Sequence, residues 1–150
     1  MARWTVTRTI NAPIETVFSA ISDVDHFAEV RPQVVKIEFL SDIHSGVGTR
    51  FRETRRMKDK DSINDLEITE FERDRRIRFV TTNHDITWDS VYIVKPQVGP
   101  TVLTLTMDAT SGKLIPRIMM FLISGVLQTA LEGDMDTIKD FCERQGRSHT

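Results

Sequence analysis

The sequence predicts an α+β domain: seven antiparallel strands, two short helices after the first strand, and a long helix at the C-terminus. Three observations carry that prediction. Residues 33–110 break into short runs in which apolar side chains alternate, joined by polar turns, as in an antiparallel meander. Residues 14–21 and 127–142 instead place apolar side chains every three or four positions, the period of a helix with one buried face. The chain has 150 residues, 39% apolar and 28% charged, enough for one core without staples, and no repeat, linker or low-complexity tract divides it. Residues 1–150 therefore read as a single domain.

Residues 3–10 form the first strand, with Trp4, Val6, Arg8 and Ile10 on one face and Thr5, Thr7 and Thr9 on the other. Pro13 suits a first helical turn, where its missing N–H costs nothing, and Glu15 favours the positive end of the helix dipole. Ile14, Val17, Phe18 and Ile21 make the buried stripe of that helix. Asp23 caps a second short helix, which Pro32 stops. In 34–40, Val35, Ile37 and Phe39 share a face opposite Lys36 and Glu38. Gly46 and Gly48 turn the chain into a strand at 49–57, and strands at 66–72, 77–83, 86–96 and 101–109 follow. The last helix spans residues 113–145. Leu127, Leu131, Met135, Ile138 and Cys142 are its apolar face, Glu132, Asp134, Asp136, Lys139, Asp140, Glu143 and Arg144 its polar side, and Gly125 a hinge.

Composition narrows the function. A single cysteine, Cys142, excludes an intrachain disulfide framework or a thiolate metal site and fits a reducing cytoplasm. The first residues lack the apolar run of a signal peptide, and the most apolar stretch, 114–127, is shorter than the roughly 20 residues of a membrane span. A cytoplasmic protein with no membrane span is expected. His26, His44, His84 and His149 have no ligand spacing, so no metal is expected, and His84–Asp85 reads as a surface turn pair. The glycines of 46–48 make no dinucleotide fingerprint, and no cofactor is expected. Arginines are dense at 50–56 and 73–78, a stripe that could face phosphates. Glu67, Glu70 and Glu72 stand ready across the strands as partners, and the net charge is −2, so nucleic acid is not an expected partner.

The informative stretch is the strand at 49–57. Alternation puts Thr49, Phe51, Glu53, Arg55 and Met57 on one face and Arg50, Arg52, Thr54 and Arg56 on the other. A face with an aromatic ring that also carries a carboxylate and a guanidinium suits the wall of a pocket better than a solid core. By the same alternation Ile68, Phe79, Trp88, Ser90, Tyr92, Leu103, Leu105 and Met107 join this wall. Met119, Met120, Ile123 and Leu127 on the last helix form a deformable lid. Glu53 as a base, Arg55 as an anchor for a carboxylate or enolate oxygen, and Tyr92 as a hydroxyl donor are the catalytic candidates. Plain core packing for Trp88 and Tyr92, and solvent contact for Glu53 and Arg55, remain open alternatives.

Residues 11–27 (NAPIETVFSAISDVDHF), 46–51 (GVGTRF), 68–79 (ITEFERDRRIRF) and 131–143 (LEGDMDTIKDFCE), in this element order, resemble the START-like superfamily, also called SRPBCC. It includes the polyketide cyclase/dehydrase-like and lipid-transport proteins. The resemblance covers nearly the whole chain, and its motifs are structural. It implies a helix-grip fold, in which a curved sheet wraps the long helix and leaves a cavity for a lipid, polyketide, hormone or quinone-like molecule. Some members are enzymes and many are not, so fold leaves function undecided. The expected function is binding or transport of a small hydrophobic ligand. A cyclase/dehydratase- or aromatase-like enzyme is the alternative. A protein-interaction or stress-response module using 114–127 as an interface, with homodimerisation as one form, is the third reading.

Overall fold

The computed structural model describes residues 2–83, 85–96, 98–111 and 117–148; His84, His149, residues 112–116 and the Met120 side chain lie outside the described residues. Strands β1 (Ala2–Ile10), β2 (Val34–Phe39), β3 (Arg50–Met57), β4 (Lys60–Glu72), β5 (Arg76–Asn83), β6 (Ile86–Pro96) and β7 (Thr101–Ser111) make one antiparallel sheet in the order β1-β7-β6-β5-β4-β3-β2. From β2 to β7 each strand pairs with the next, and β1 closes onto β7 from Ala2↔Ala109 to Ile10↔Thr101. β1 and β2 are thus opposite edges, and the segment holding α1 (Ile14–Ser22), a 3₁₀ turn (Val24–His26) and α2 (Phe27–Val30) carries the chain between them. The last element is the helix α3 (Arg117–Ser148).

The apolar stripes do what their periods dictate. Val17, Phe18, Ala20 and Ile21 bury one face of α1, and Phe18 meets Phe71 of β4 edge-on with ring centroids 5.4 Å apart. Leu131, Met135, Ile138 and Cys142 of α3 are buried with Trp4, Val6 and Ile10 of β1 in the same core. Burial pushes the Cys142 thiol up to about 12, as for a core side chain rather than a reactive one. Three polar contacts strap α3 along the β1 edge. Trp4 Nε1 donates to Ser124 Oγ at 3.1 Å, Arg8 Nε to Asp136 at 2.6 Å, and the Asn11 N–H to Glu143 at 2.9 Å.

Three local expectations change. Val35 is not on the inward face of β2: a bulge between Val34 and Lys36 buries Val34, turns Val35 out, and leaves Ile37 and Phe39 in register with Glu53 and Phe51. β4 begins at Lys60 rather than 66, because the polar run 60–65 pairs with β3 beyond the core, down to Met57↔Lys60. A second bulge between Ile68 and Glu70 keeps Ile68 and Phe71 facing inward together, opposite Phe79 and Ile77. α3 also runs without a break through Gly125, so no hinge interrupts it.

Candidate functional site

A cavity of about 540 Å³ opens between α3 and the inward face of β3 to β7, with the end of α2 at one side. Alternation along adjacent strands brings its walls together. Glu53, Arg55 and Met57 come from β3, Ser62, Asn64 and Leu66 from β4, Phe79, Thr81 and Asn83 from β5, Trp88, Ser90 and Tyr92 from β6, and Met107 from β7. Leu127, Ala130, Leu131, Gly133 and Asp134 of α3 face them, and Phe27, Arg31 and Gln33 complete the side near α2. An aromatic cluster supports the base: Phe27, Phe51, Phe79 and Tyr92 meet edge-on, with neighbouring centroids 5.9 to 6.1 Å apart.

The polar chemistry centres on Arg55. Its Nε donates to Glu53 Oε1 at 2.6 Å, and its Nη1 reaches Asp134 Oδ2 at 2.9 Å and Oδ1 at 3.2 Å. Glu53 is only 6% exposed, while the Asp134 and Arg55 side chains keep 14% and 24% of their surface. Burial pulls the Arg55 guanidinium down, but Glu53 and Asp134 outweigh it and raise it well above its ordinary range, so it stays charged. One positive and two negative groups leave this cluster with a surplus of one negative charge. The contact to Asp134 also ties β3 to α3 across the cavity, opposite the straps on β1.

A second polar site lies at Tyr92. Burial pushes its phenol up from the ordinary value, so the hydroxyl keeps its proton, while nearby Arg31 works against the shift. Arg31 Nη2 donates to the Tyr92 oxygen across 3.4 Å. By accepting there, Tyr92 leaves its own O–H free to donate elsewhere.

The expected site residues divide into three groups. Glu53, Arg55, Met57, Phe79, Trp88, Ser90, Tyr92, Met107 and Leu127 all line the cavity. Phe51, Ile68, Leu103 and Leu105 point the same way but do not reach it: they are fully buried where the sheet packs solidly against the helices. Met119 and Ile123 do not form a lid. They are half in water on the first turns of α3, beside Phe121, which is 80% exposed, and neither lines the cavity. Sequence periodicity also assigns Asp134 to the solvated side of α3, whereas it turns in to Arg55. Arg31 and Gln33 were not singled out by it, because they flank Pro32 in a link with no period to read.

Elsewhere many of the charges pair with one another. On the outer face Arg52 pairs with Asp65 at 2.7 Å, Arg56 with Asp61 at 2.9 Å and Arg76 with Glu70 at 2.8 Å, and Arg78 pairs with Asp89. The arginine-rich stripe is therefore largely neutralised by neighbours on adjacent strands. His26 pairs with Asp23, and His44 stacks on Phe39 with centroids 3.8 Å apart. Among the described residues no group of His, Cys, Asp or Glu is placed to hold a metal ion, and no helix is long and apolar enough to cross a membrane.

Comparison with known proteins agrees with this geometry. The family described as polyketide cyclase / dehydrase and lipid transport matches residues 1–143. The Zhui aromatase/cyclase from Streptomyces sp. R1128 superposes with a TM-score of 0.80 at 19% identity, covering 99% of this chain and 97% of that one. A START superfamily protein from Mycobacterium smegmatis gives 0.76 at 14% identity, covering 95% and 98%. TTHA0849 from Thermus thermophilus gives 0.74 at 20% identity, covering 93% and 95%. At such identities the likeness to these structures is one of fold. No curated protein matches the sequence.

Proposed function

The chain belongs to the polyketide cyclase / dehydrase and lipid transport family, and from that premise we propose that it binds one small, largely hydrophobic molecule between the sheet and α3. The observation that carries this reading is the cavity of about 540 Å³, walled by Phe27, Leu66, Phe79, Trp88, Met107 and Leu127 around a few polar groups. That volume suits a compact ligand of two or three rings or a short acyl chain. Apolar burial at roughly 25 cal/mol per Å² supplies most of the affinity, and the polar groups orient the ligand.

The test is extraction of freshly purified protein with organic solvent, followed by mass spectrometry, alongside titration with the neutral fluorophore N-phenyl-1-naphthylamine. One bound molecule per chain, and fluorophore binding weakened in Ser90→Phe, which narrows the cavity, are expected. Protein that yields no small molecule and does not bind the fluorophore overturns the reading.

A second reading is supported by the ionic cluster. A carboxylate held within the same cavity as a guanidinium and a protonated phenol is a set suited to aldol-type ring closure. Glu53 would take a proton from a carbon next to a carbonyl, and that carbon would bond to a second carbonyl carbon. Tyr92 would donate to the oxygen that becomes negative and is then protonated, after which water leaves. Glu53→Gln separates the two functions. A carrier keeps fluorophore affinity and has no turnover to lose. An enzyme keeps the affinity and loses cyclisation of a poly-β-ketone thioester, followed by chromatography.

A further inference from the structure

Arg31 differs from every other arginine described in the cavity and on the sheet. It is only 3% exposed, yet among the described residues no carboxylate comes within 4.0 Å of it. Its backbone is pinned on both sides, its N–H donating to the Phe27 carbonyl at 2.8 Å and its own carbonyl accepting from Val34 at 3.0 Å. The guanidinium carbon sits 4.8 Å from the centre of the Phe27 ring, which holds the group flat and in place. Of its several donors, one makes the 3.4 Å bond to Tyr92, and the buried Nε has no protein partner. A buried cation left so short of acceptors is costly unless something else supplies them. The side chain lines the cavity, so that role is the ligand's.

We infer that Arg31 is the docking point for an acidic oxygen of the ligand, and that the natural ligand carries a carboxylate, or an enol or phenol bound as its anion. The inference rests on the cavity-binding reading and narrows its ligand class. The oxygen sits at the edge of the guanidinium that lines the cavity and accepts there, and the Tyr92 hydroxyl supplies a second donor. Arg55 is a poor rival for this role, since both its neighbouring carboxylates already occupy it and their surplus charge repels an anion. The ligand is thereby oriented with its acidic end toward Arg31 and its apolar body toward Trp88 and Leu127.

Two fluorophores with one skeleton test this: neutral N-phenyl-1-naphthylamine and its sulfonate, 1-anilinonaphthalene-8-sulfonate. Both are titrated into the wild type, Arg31→Gln, Arg31→Lys and the cavity-narrowing Ser90→Phe. The wild type is expected to bind the sulfonate about tenfold more tightly than the neutral probe. Arg31→Gln is expected to lose that preference while holding neutral-probe affinity within about twofold, and Arg31→Lys to keep part of it. Sites elsewhere, such as the exposed turns of α3, are identified as binding that Ser90→Phe leaves unchanged. If the neutral probe binds in the cavity and the sulfonate is no tighter, the Arg31 assignment falls and the cavity reading stands. If neither binds the wild type, both fall. A preference that persists in Arg31→Gln assigns the anion to another group and overturns the inference. Should Arg31→Gln not fold, the wild-type ratio and the lysine variant decide the matter.

Discussion

Arg55 holds two carboxylates that come from different elements, so its removal strands both. Arg55→Met is expected to destabilise the protein by roughly 3 kcal/mol near neutral pH, the low end for breaking a buried ion pair because a quarter of its side chain meets water. Chemical denaturation checks this. His26 offers a smaller and cleaner case. Its hydrogen bond and charge contact with Asp23 raise its pKa above the ordinary 6.5. A raised folded-state pKa means the pair's stabilisation is complete below pH 6.5 and fades as pH climbs through the folded value. An NMR titration should find the imidazole above 6.5 in the wild type and returned toward it in Asp23→Asn. Arg55 and its partner Asp134 were unequally legible in the sequence. Alternation puts Arg55 on the inward face of β3, but no local pattern can name its partner on α3.

At the scale of elements, strands and helices were readable because burial writes a period into them, and the errors fall where the period breaks. The bulge at Val34–Lys36 shifts the phase of β2, so Val35 faces outward although its neighbours alternate correctly. The early half of β4 has no apolar face to alternate, being held by main-chain pairing and by ion pairs such as Arg56–Asp61. Asp134 sits next to Met135, one step off the apolar stripe of α3. Whether that step leads to water or to a cavity depends on the opposing strand, not on the helix. The turn into β3 was signalled by its glycines and explains them. Gly48 has φ +95°, its N–H donates to the Ile68 carbonyl at 2.9 Å, and an added Cβ would lie 3.1 Å from Ile43 Cδ1. Gly48→Ala should therefore cost about 1–3 kcal/mol by thermal or chemical denaturation. A neutral effect would mean the turn can relax into another conformation.

For the whole molecule, the decisive feature is that α3 is fastened on two sides with a hollow between. Trp4, Arg8 and Asn11 hold it along β1, and Arg55 reaches it from β3. A ligand that fills the hollow binds only the folded state, so it must stabilise the fold by mass action. N-phenyl-1-naphthylamine at about 100 times its dissociation constant should add about 2.7 kcal/mol, seen as a rise in Tm, and Ser90→Phe should reduce the rise at the same probe concentration. Binding without any rise would place the probe on a surface that survives unfolding. The order of strands carries a last implication for how the molecule is made. As the nascent chain leaves the ribosome, β2 through β7 can zip up hairpin by hairpin, each beside the one just synthesised. The first strand has no such neighbour: Ile10 must wait for Thr101. Until then Trp4, Val6 and Ile10 stay uncovered, and a stalled or truncated translation product ending before β7 offers quality-control chaperones an apolar N-terminal handle.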